Sequence, residues 1–468
     1  MFEQDTFHRR KLLFEWAHGF GGLALLSLMS GCDRPAAAPA PLAHAPRKKA
    51  KSVIFLFMDG GPSQMDTFDP KPRLTREHGQ PIKIKIVNRL ASNTVLKSPF
   101  KFQRYGQCGA DVSELFPHVA TCVDDMTIIR SMVADNVEHG SATLMMATGS
   151  ALSGRPSMGS WIHYALGSEA SDLPGYVVMH GGELPHVGVG SLGNGFLPAK
   201  HQCTLFSPLD KQPFGDIQRW EATDALQKAK LPVLARLNQF AASELGASSE
   251  LESSVANYEM AYRLQSSLPK LIDYSDESAA TQSLYGIDDA ATRAFGIECL
   301  LARKMVEKGV RFINLIAPVV PEADRWDQHS NLKVGLTYNC QATDKPIAGL
   351  LKDLKARGLL DETLVIWGGE FGRTATAEFQ EGKDPGREHN PFGFTMWLAG
   401  GGAQRGLVYG ATDEYGYHAV ENPVHVHDLH ATILHLLGID HTQLTFRHGG
   451  RDYRLTDVYG NVMHDLLA

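Results

Sequence analysis

Asp59, Asp66 and Asp69 fall within Val53 to Asp69, a stretch that reads VIFLFMDGGPSQMDTFD. Three carboxylates packed behind an apolar run are the residue types that hold a divalent cation through oxygen. Farther along, Asp327 and His329 stand two residues apart in Arg325-Trp326-Asp327-Gln328-His329, so an extended backbone points both side chains the same way. Glu370 and Arg373 occur in GGEFGRT, Arg387 and His389 in PGREHN, and His418 in YGYH. His139 opens HGSATLMMATGS, which places Ser141 and Thr143 at the start of a helix, where free N–H groups and the dipole stabilise anions. Carboxylate and imidazole without thiolate suit Zn, Mn or Ca, and paired divalent ions can clamp the attacking and leaving oxygens of an ester displacement. The plainer reading assigns the glycines to turns, Asp66 and Ser141 to helix caps, and Asp69 to a turn before Pro70.

Residues so far apart in the chain need an element that gathers them. Val53 to Met58 is six apolar residues long, the pattern of a strand buried on both faces of a parallel sheet, and Gly60-Gly61-Pro62 turns the chain at its carboxyl end. That edge is where open α/β sheets bind ligands. Met126 to Met132, Tyr176 to Met179, Val310 to Ile316, Leu364 to Trp367 and Phe394 to Leu398 are further short apolar runs, expected as strands of the same sheet. Their exits lead to His139, to Asp327 and His329, and to Glu370 and Arg373, with Arg130 and Arg387 nearby. Thr292 to Lys308, stopped by Gly309, and the Ile347, Leu350, Leu351, Leu354 spacing, ended at Gly358, predict helices. Residues from about 207 to 290 form a helical insertion. In the last helix, His427 to Leu437, a capping and solvated face accounts for His427, Asp428, His430 and His435 without a metal.

The chain has 468 residues, 43% hydrophobic and 21% charged, enough for a sizeable core, and a net charge of -7 without a long basic run excludes nucleic acid as a partner. Residues 1–32 read as an export signal: Arg9-Arg10-Lys11-Leu12-Leu13 is a twin-arginine pattern, and Phe20 to Met29 is too short for a spanning helix. Leu28 to Cys32 resembles a lipoprotein cleavage box, which makes Cys32 the expected lipid anchor and the periplasm or outer surface the expected location. The Ala- and Pro-rich residues 33–51 suit a tether, leaving 52–468 as the folded domain. Cys108, Cys122, Cys203, Cys299 and Cys340 make no disulfide framework, although Cys108 and Cys122 are a candidate pair.

GGPSQMDTFDPKP (60–72), WDQHSN (326–331), GGEFGRT (368–374), GREHNPFGFTMWLAGGG (386–402) and residues 410–441 together resemble a sulfatase-like family, itself of unknown function, in the alkaline phosphatase and sulfatase superfamily. The resemblance implies a three-layer α/β/α sandwich with a mostly parallel sheet, and a metal-dependent hydrolase of phosphate or sulfate esters. It implies metal ligands at Asp59, Asp327, His329 and Glu370, and at His389 or His418, with Asp66 as an alternative ligand and Arg387 behind them. His139, Ser141 and Arg373 are the expected catalytic residues, with Ser141 or Thr143 as a metal-activated alkoxide, or His139 acting directly or as a base. The sequence departs from the superfamily in having Glu370-Phe371 where an Asp-His pair is usual, and HGSATLMMATGS lacks the CxPSR motif of formylglycine sulfatases. The expected substrate is an anionic ester, with polysaccharides among the candidates. The alternative from another class is a lipid-anchored binding or scaffold protein that keeps the fold without the chemistry.

Overall fold

The computed structural model describes residues 49–87, 90–210, 221–245 and 249–468. The export signal, Cys32 and nearly all of the 33–51 tether therefore lie outside the described residues.

The apolar runs do become sheet. Among the described residues, nine strands form it: β1 (Ser52–Phe57), β2 (Met126–Val133), β3 (Tyr176–His180), β4 (Thr204–Phe206), β5 (Phe312–Ile316), β6 (Thr363–Gly368), β7 (Phe394–Ala399), β8 (Leu407–Tyr409) and β9 (Val424–His425). The order is β8-β2-β7-β6-β1-β5-β3-β4, with β9 also paired to β2. β1 is central, buried throughout, and parallel to β5 and β6 on its two sides. Only β7 runs against its neighbours β2 and β6. Consequently the carboxyl ends of β1, β2, β5 and β6 and the amino end of β7 share one edge, and the loops at that edge carry the chemical residues.

The main helices are α1 (His139–Thr148), α2 (Met158–Leu166), α3 (Asp224–Leu245), α4 (Ser249–Ile272), α5 (Arg293–Glu307), α6 (Leu332–Ala356) and α7 (Val426–Leu436), of which α1, α2, α5, α6 and α7 cover the two faces of the sheet. Val53, Phe55 and Phe57 point to one face, into a core with Met145 and Met146 of α1, Trp161 of α2, and Leu429 and Ile433 of α7. Their alternates Ile54 and Leu56 point to the other face, on the side of α5 and α6, which pack on each other. The result is a three-layer α/β/α sandwich with a mostly parallel sheet. Gly309 and Gly358 end α5 and α6 with φ of +89° and +71°, a conformation glycine takes without steric cost. α6 begins at Leu332, so the apolar spacing from Ile347 onward marks only its second half. A separate compact unit comprises Arg219–Tyr262 with Pro198–Lys200 and contains α3 and the first part of α4.

Two sequence expectations are corrected. Cys108 and Cys122 are both free, as are Cys203, Cys299 and Cys340. His427 and His430 are not on a solvated face: they are 3% and 0% exposed, and their Nε2–H groups donate to Gly149 O (3.0 Å) and Met146 O (2.7 Å). These carbonyls lie at the carboxyl end of α1, where no helical partner exists for them. Burial pushes the His430 pKa down to about 3, so it is neutral while it fills this role.

The turn after β1 is tied down by a fully buried ion pair. Arg387 Nε donates to Asp66 Oδ2 at 2.7 Å and Nη2 to Oδ1 at 3.3 Å, while Ser63 Oγ donates to Oδ2 at 2.5 Å. Arg387 also donates to Thr374 O and Leu96 O, both at 3.2 Å, so Asp66 and its partner clamp four segments together. Breaking such a pair leaves an uncompensated buried charge. Asp66→Ala is expected to cost about 3–5 kcal/mol in denaturant unfolding, and a loss under about 1 kcal/mol would refute this structural role.

Candidate metal centre

Each strand exit delivers one part of a compact cluster. His139 is the first residue of α1, six positions beyond the end of β2. Asp327 and His329 come from the loop between β5 and α6, Glu370 and Arg373 from the loop after β6, and His389 from the segment before β7. Two glycines allow these segments to touch. A Cβ on Gly60, whose φ is +122°, would lie 2.8 Å from Trp326 N, and one on Gly386 would lie 2.1 Å from His329 C.

Asp327 is the hub. Its Oδ1 receives Arg373 Nη2 at 2.5 Å and lies 2.9 Å from His329 Nε2 and 3.3 Å from His389 Nε2. Its Oδ2 is 3.2 Å from His139 Nε2. Each imidazole is oriented from behind through Nδ1. His139 Nδ1 meets Glu370 Oε1 at 2.7 Å, His329 Nδ1 meets Glu378 Oε2 at 2.5 Å, and His389 Nδ1 donates to Val137 O at 2.6 Å. Outward Nδ1–H groups leave the three Nε2 lone pairs facing inward, the arrangement in which histidines bind a metal. Two observations fit a cation at their meeting point. His329 Nε2 and His389 Nε2 are 2.9 Å apart, a separation at which two bare lone pairs repel, and His139 Nε2 is buried without an aligned hydrogen-bond partner. Atoms of His139, Asp327, His329 and His389 lie within 4.8 Å of one another, as do atoms of His329, Glu378 and Glu388. Three imidazoles and one carboxylate suit Zn or Mn and are a poor set for Ca, which takes oxygen ligands.

The charges follow from these contacts. Burial would raise the Asp327 pKa, but the Arg373 guanidinium and the three imidazoles hold it far below the usual carboxylate range. Burial would lower His139, yet the carboxylates of Asp327 and Glu370 raise it to about 9. The hydrogen bond to Asp327 raises His329, and burial lowers His389.

The remaining expected residues fall around this cluster. Glu370 is fully buried and accepts Gly60 N–H at 3.1 Å and 3.2 Å while holding His139. Arg373, 1% exposed, spends its donors on Gly61 O, Arg387 O, Gly60 O, Trp326 O and Asp327. It is a strut beneath the cluster, not a group free to grip a substrate. Asp59 is buried but pairs with Arg325, outside the His–Asp cluster. Ser141 lies on the first turn of α1 with its Oγ–H donating to Glu138 O at 3.2 Å. His418 is not brought in: its ring packs on Phe392 and Tyr417, and its Nδ1 lies 3.3 Å from Asp413. Asp69 binds Lys71 at 2.9 Å and Thr412.

Sequence reasoning missed Glu378 and Val137 O, and the packing role of Phe371, which stacks on His389 with ring centroids 4.5 Å apart. A carbonyl has no sequence signature, and Glu378 stands in a loop with no flanking strand pattern. It missed the roles of Arg325 and His186 as well, although Arg325 stands only two residues before Asp327.

A family model described as "Protein of unknown function (DUF1501)" matches residues 50–467. The comparison with curated proteins found no match. Among solved structures, the lipoteichoic acid synthase LtaP from Listeria monocytogenes is 10% identical, covering 90% of this chain and 78% of its own, with a TM-score of 0.36. The PsFucS1 sulfatase from Pseudoalteromonas sp. is 12% identical, covering 87% and 74%, with a TM-score of 0.36. Alkaline phosphatase from the Antarctic bacterium TAB5 is 11% identical, covering 76% and 93%, with a TM-score of 0.32.

Protons and metal compete for the same nitrogens. With the His139 pKa at about 9 in the metal-free protein, an entering cation must displace a proton at any lower pH. Apparent affinity for Zn2+ or Mn2+ is expected to climb up to about tenfold per pH unit and level off near pH 9, as read by competition with a chromophoric chelator. A flat profile would remove His139 from the ligand set. Glu378→Gln, which weakens the hold on His329, is expected to lower the affinity about 10–100-fold.

Proposed function

The chain belongs to the DUF1501 family, and we propose that it is a metal-dependent hydrolase of phosphate or sulfate esters, exported and anchored through Cys32. The observation that carries this reading is the set of three imidazoles oriented outward through Nδ1, with their Nε2 atoms converging on Asp327. Purely structural histidines have no need of this common inward orientation, and metal ligands do.

His139, Asp327, His329 and His389 would hold the ion, and the ion would supply Lewis-acid polarisation of the ester's oxygens. The protein's own contribution begins with α1. Its first residue is a proposed ligand, so the amino end of a helix would open beside a bound ion, where N–H groups and the dipole favour an anionic ester group. Ser141, on the same turn and two residues after His139, is only partly buried, whereas Ser330 beside His329 is buried, which makes Ser141 the proposed nucleophile. Phe371 packs against His139 and His389, with ring centroids 5.0 Å and 4.5 Å away, and shields that side of the ligands from water. Glu370, Glu378 and Val137 O keep the ligand tautomers in place. Export is supported by Arg9-Arg10 and by Leu28 to Cys32.

Metal content and turnover test the reading together. The purified protein is expected to carry bound Zn or Mn and to hydrolyse at least one of p-nitrophenyl phosphate, bis-p-nitrophenyl phosphate and p-nitrophenyl sulfate. Chelation should abolish activity, metal should restore it, and His329→Ala or His389→Ala should each cost about 100-fold or more in kcat/KM. Stoichiometric metal without turnover of any ester class would sink the hydrolase and leave the anchored binding protein. Absence of metal binding would sink both the centre and the reaction.

A further inference from the structure

Beside the His–Asp cluster, a second group of donors gathers around one guanidinium. Arg325 Nη1 donates to Asp59 Oδ2, Nε and Nη2 donate to Glu183 Oε2 at 3.2 Å and 2.5 Å, and Nη2 also donates to Leu184 O at 2.8 Å. His186 Nδ1 lies 3.6 Å from the same Asp59 oxygen, and its ring stacks on His139 with centroids 4.6 Å apart. Asp59 is 1% exposed, and its other oxygen, Oδ1, is buried with no hydrogen-bond partner.

An ionised carboxylate buried to this degree needs a cation, and an unmet lone pair on it costs free energy. The guanidinium is the cation present. Two carboxylates and an imidazole are also a donor set for a divalent ion. Arg325 therefore supplies the positive charge that Asp59 requires, in contact with it at the exit of the central strand. A guanidinium is always charged and is weakly hydrated, so it suits a site that is partly desolvated. Its side chain keeps about a fifth of its exposure (21%), whereas Arg373 keeps 1% and Arg387 none. Of these three arginines, only Arg325 retains a face toward solvent.

We propose that Arg325 is the built-in second cation of this centre: it neutralises Asp59 and Glu183 and limits the protein to one divalent ion, held by His139, Asp327, His329 and His389. This rests on the metal reading above and deepens it, because it fixes how many ions the site takes and assigns the second positive charge facing an anionic substrate to a side chain.

The test counts ions. Full-length protein is stripped with chelator, dialysed to equilibrium against excess Mn2+, and analysed by elemental mass spectrometry. Wild type is expected to hold one equivalent. Arg325→Met, which removes the charge and keeps much of the volume, should hold two, because Asp59, Glu183 and His186 are then free to bind an ion. Arg325→Lys keeps a cation and should stay at one, and Arg325→Met combined with Asp59→Asn should return to one. Two equivalents in wild type overturn the inference without any variant, so a misfolded variant does not protect it. One equivalent in a folded Arg325→Met overturns it too, as do two in Arg325→Lys. In each of these cases the metal centre itself survives. Zero in wild type overturns the centre together with the inference.

Discussion

One carboxylate, that of Asp327, answers to Arg373 and faces three imidazoles at once. In a region of reduced dielectric these interactions are strong, and removing the carboxylate would leave a buried guanidinium and inward-facing ring nitrogens with nothing between them. Much of the surrounding structure can be understood as holding that arrangement. Arg373 also pins the backbone of Gly60, Gly61 and Trp326 against it, while Glu370 accepts Gly60 N–H and His139 together. The loops at this edge are thus ordered by polar contacts as much as by the apolar core below them.

The single reversed strand is part of the same solution. β7 enters the sheet from the functional edge, so His389 reaches the cluster from the amino end of a strand, whereas Asp59, Asp327 and Glu370 come from carboxyl ends. A wholly parallel sheet would have led the chain away on the opposite side. α1 is fixed at both ends. Its first residue is His139, and its terminal carbonyls are held by His427 and His430 of α7. Two histidines assigned by sequence to a solvated face are instead internal props for the helix that carries a ligand.

Positive charge is divided by accessibility. Arg387 is buried and spends itself on Asp66, Arg373 is buried beneath Asp327, and Arg325 joins Asp59 and Glu183 while keeping an open face. The first two are structural because no water or ligand can reach them. Burial alone separates these roles, since all three have acidic residues within three positions in the sequence.

Much of this was legible in the amino-acid sequence. Short, wholly apolar runs can be satisfied only by burial on both faces, so Val53 to Met58, Leu364 to Trp367 and their fellows announced the sheet and its ligand-bearing edge. Strand-exit residues Asp327, His329 and Glu370 were found for the same reason, and His139 and His389 through a helix start and a motif. The rest depended on contacts between residues hundreds of positions apart. Asp59 pairs with Arg325 and not with the imidazoles, Glu378 stands behind His329, and His418 lies aside with Asp413. By itself the sequence determined which side chains could reach the edge, because strand period and turn chemistry are local properties. Only the tertiary structure decided which of them meet, because the choice of partner depends on loop paths, close glycine contacts and competing buried charges that no local pattern encodes.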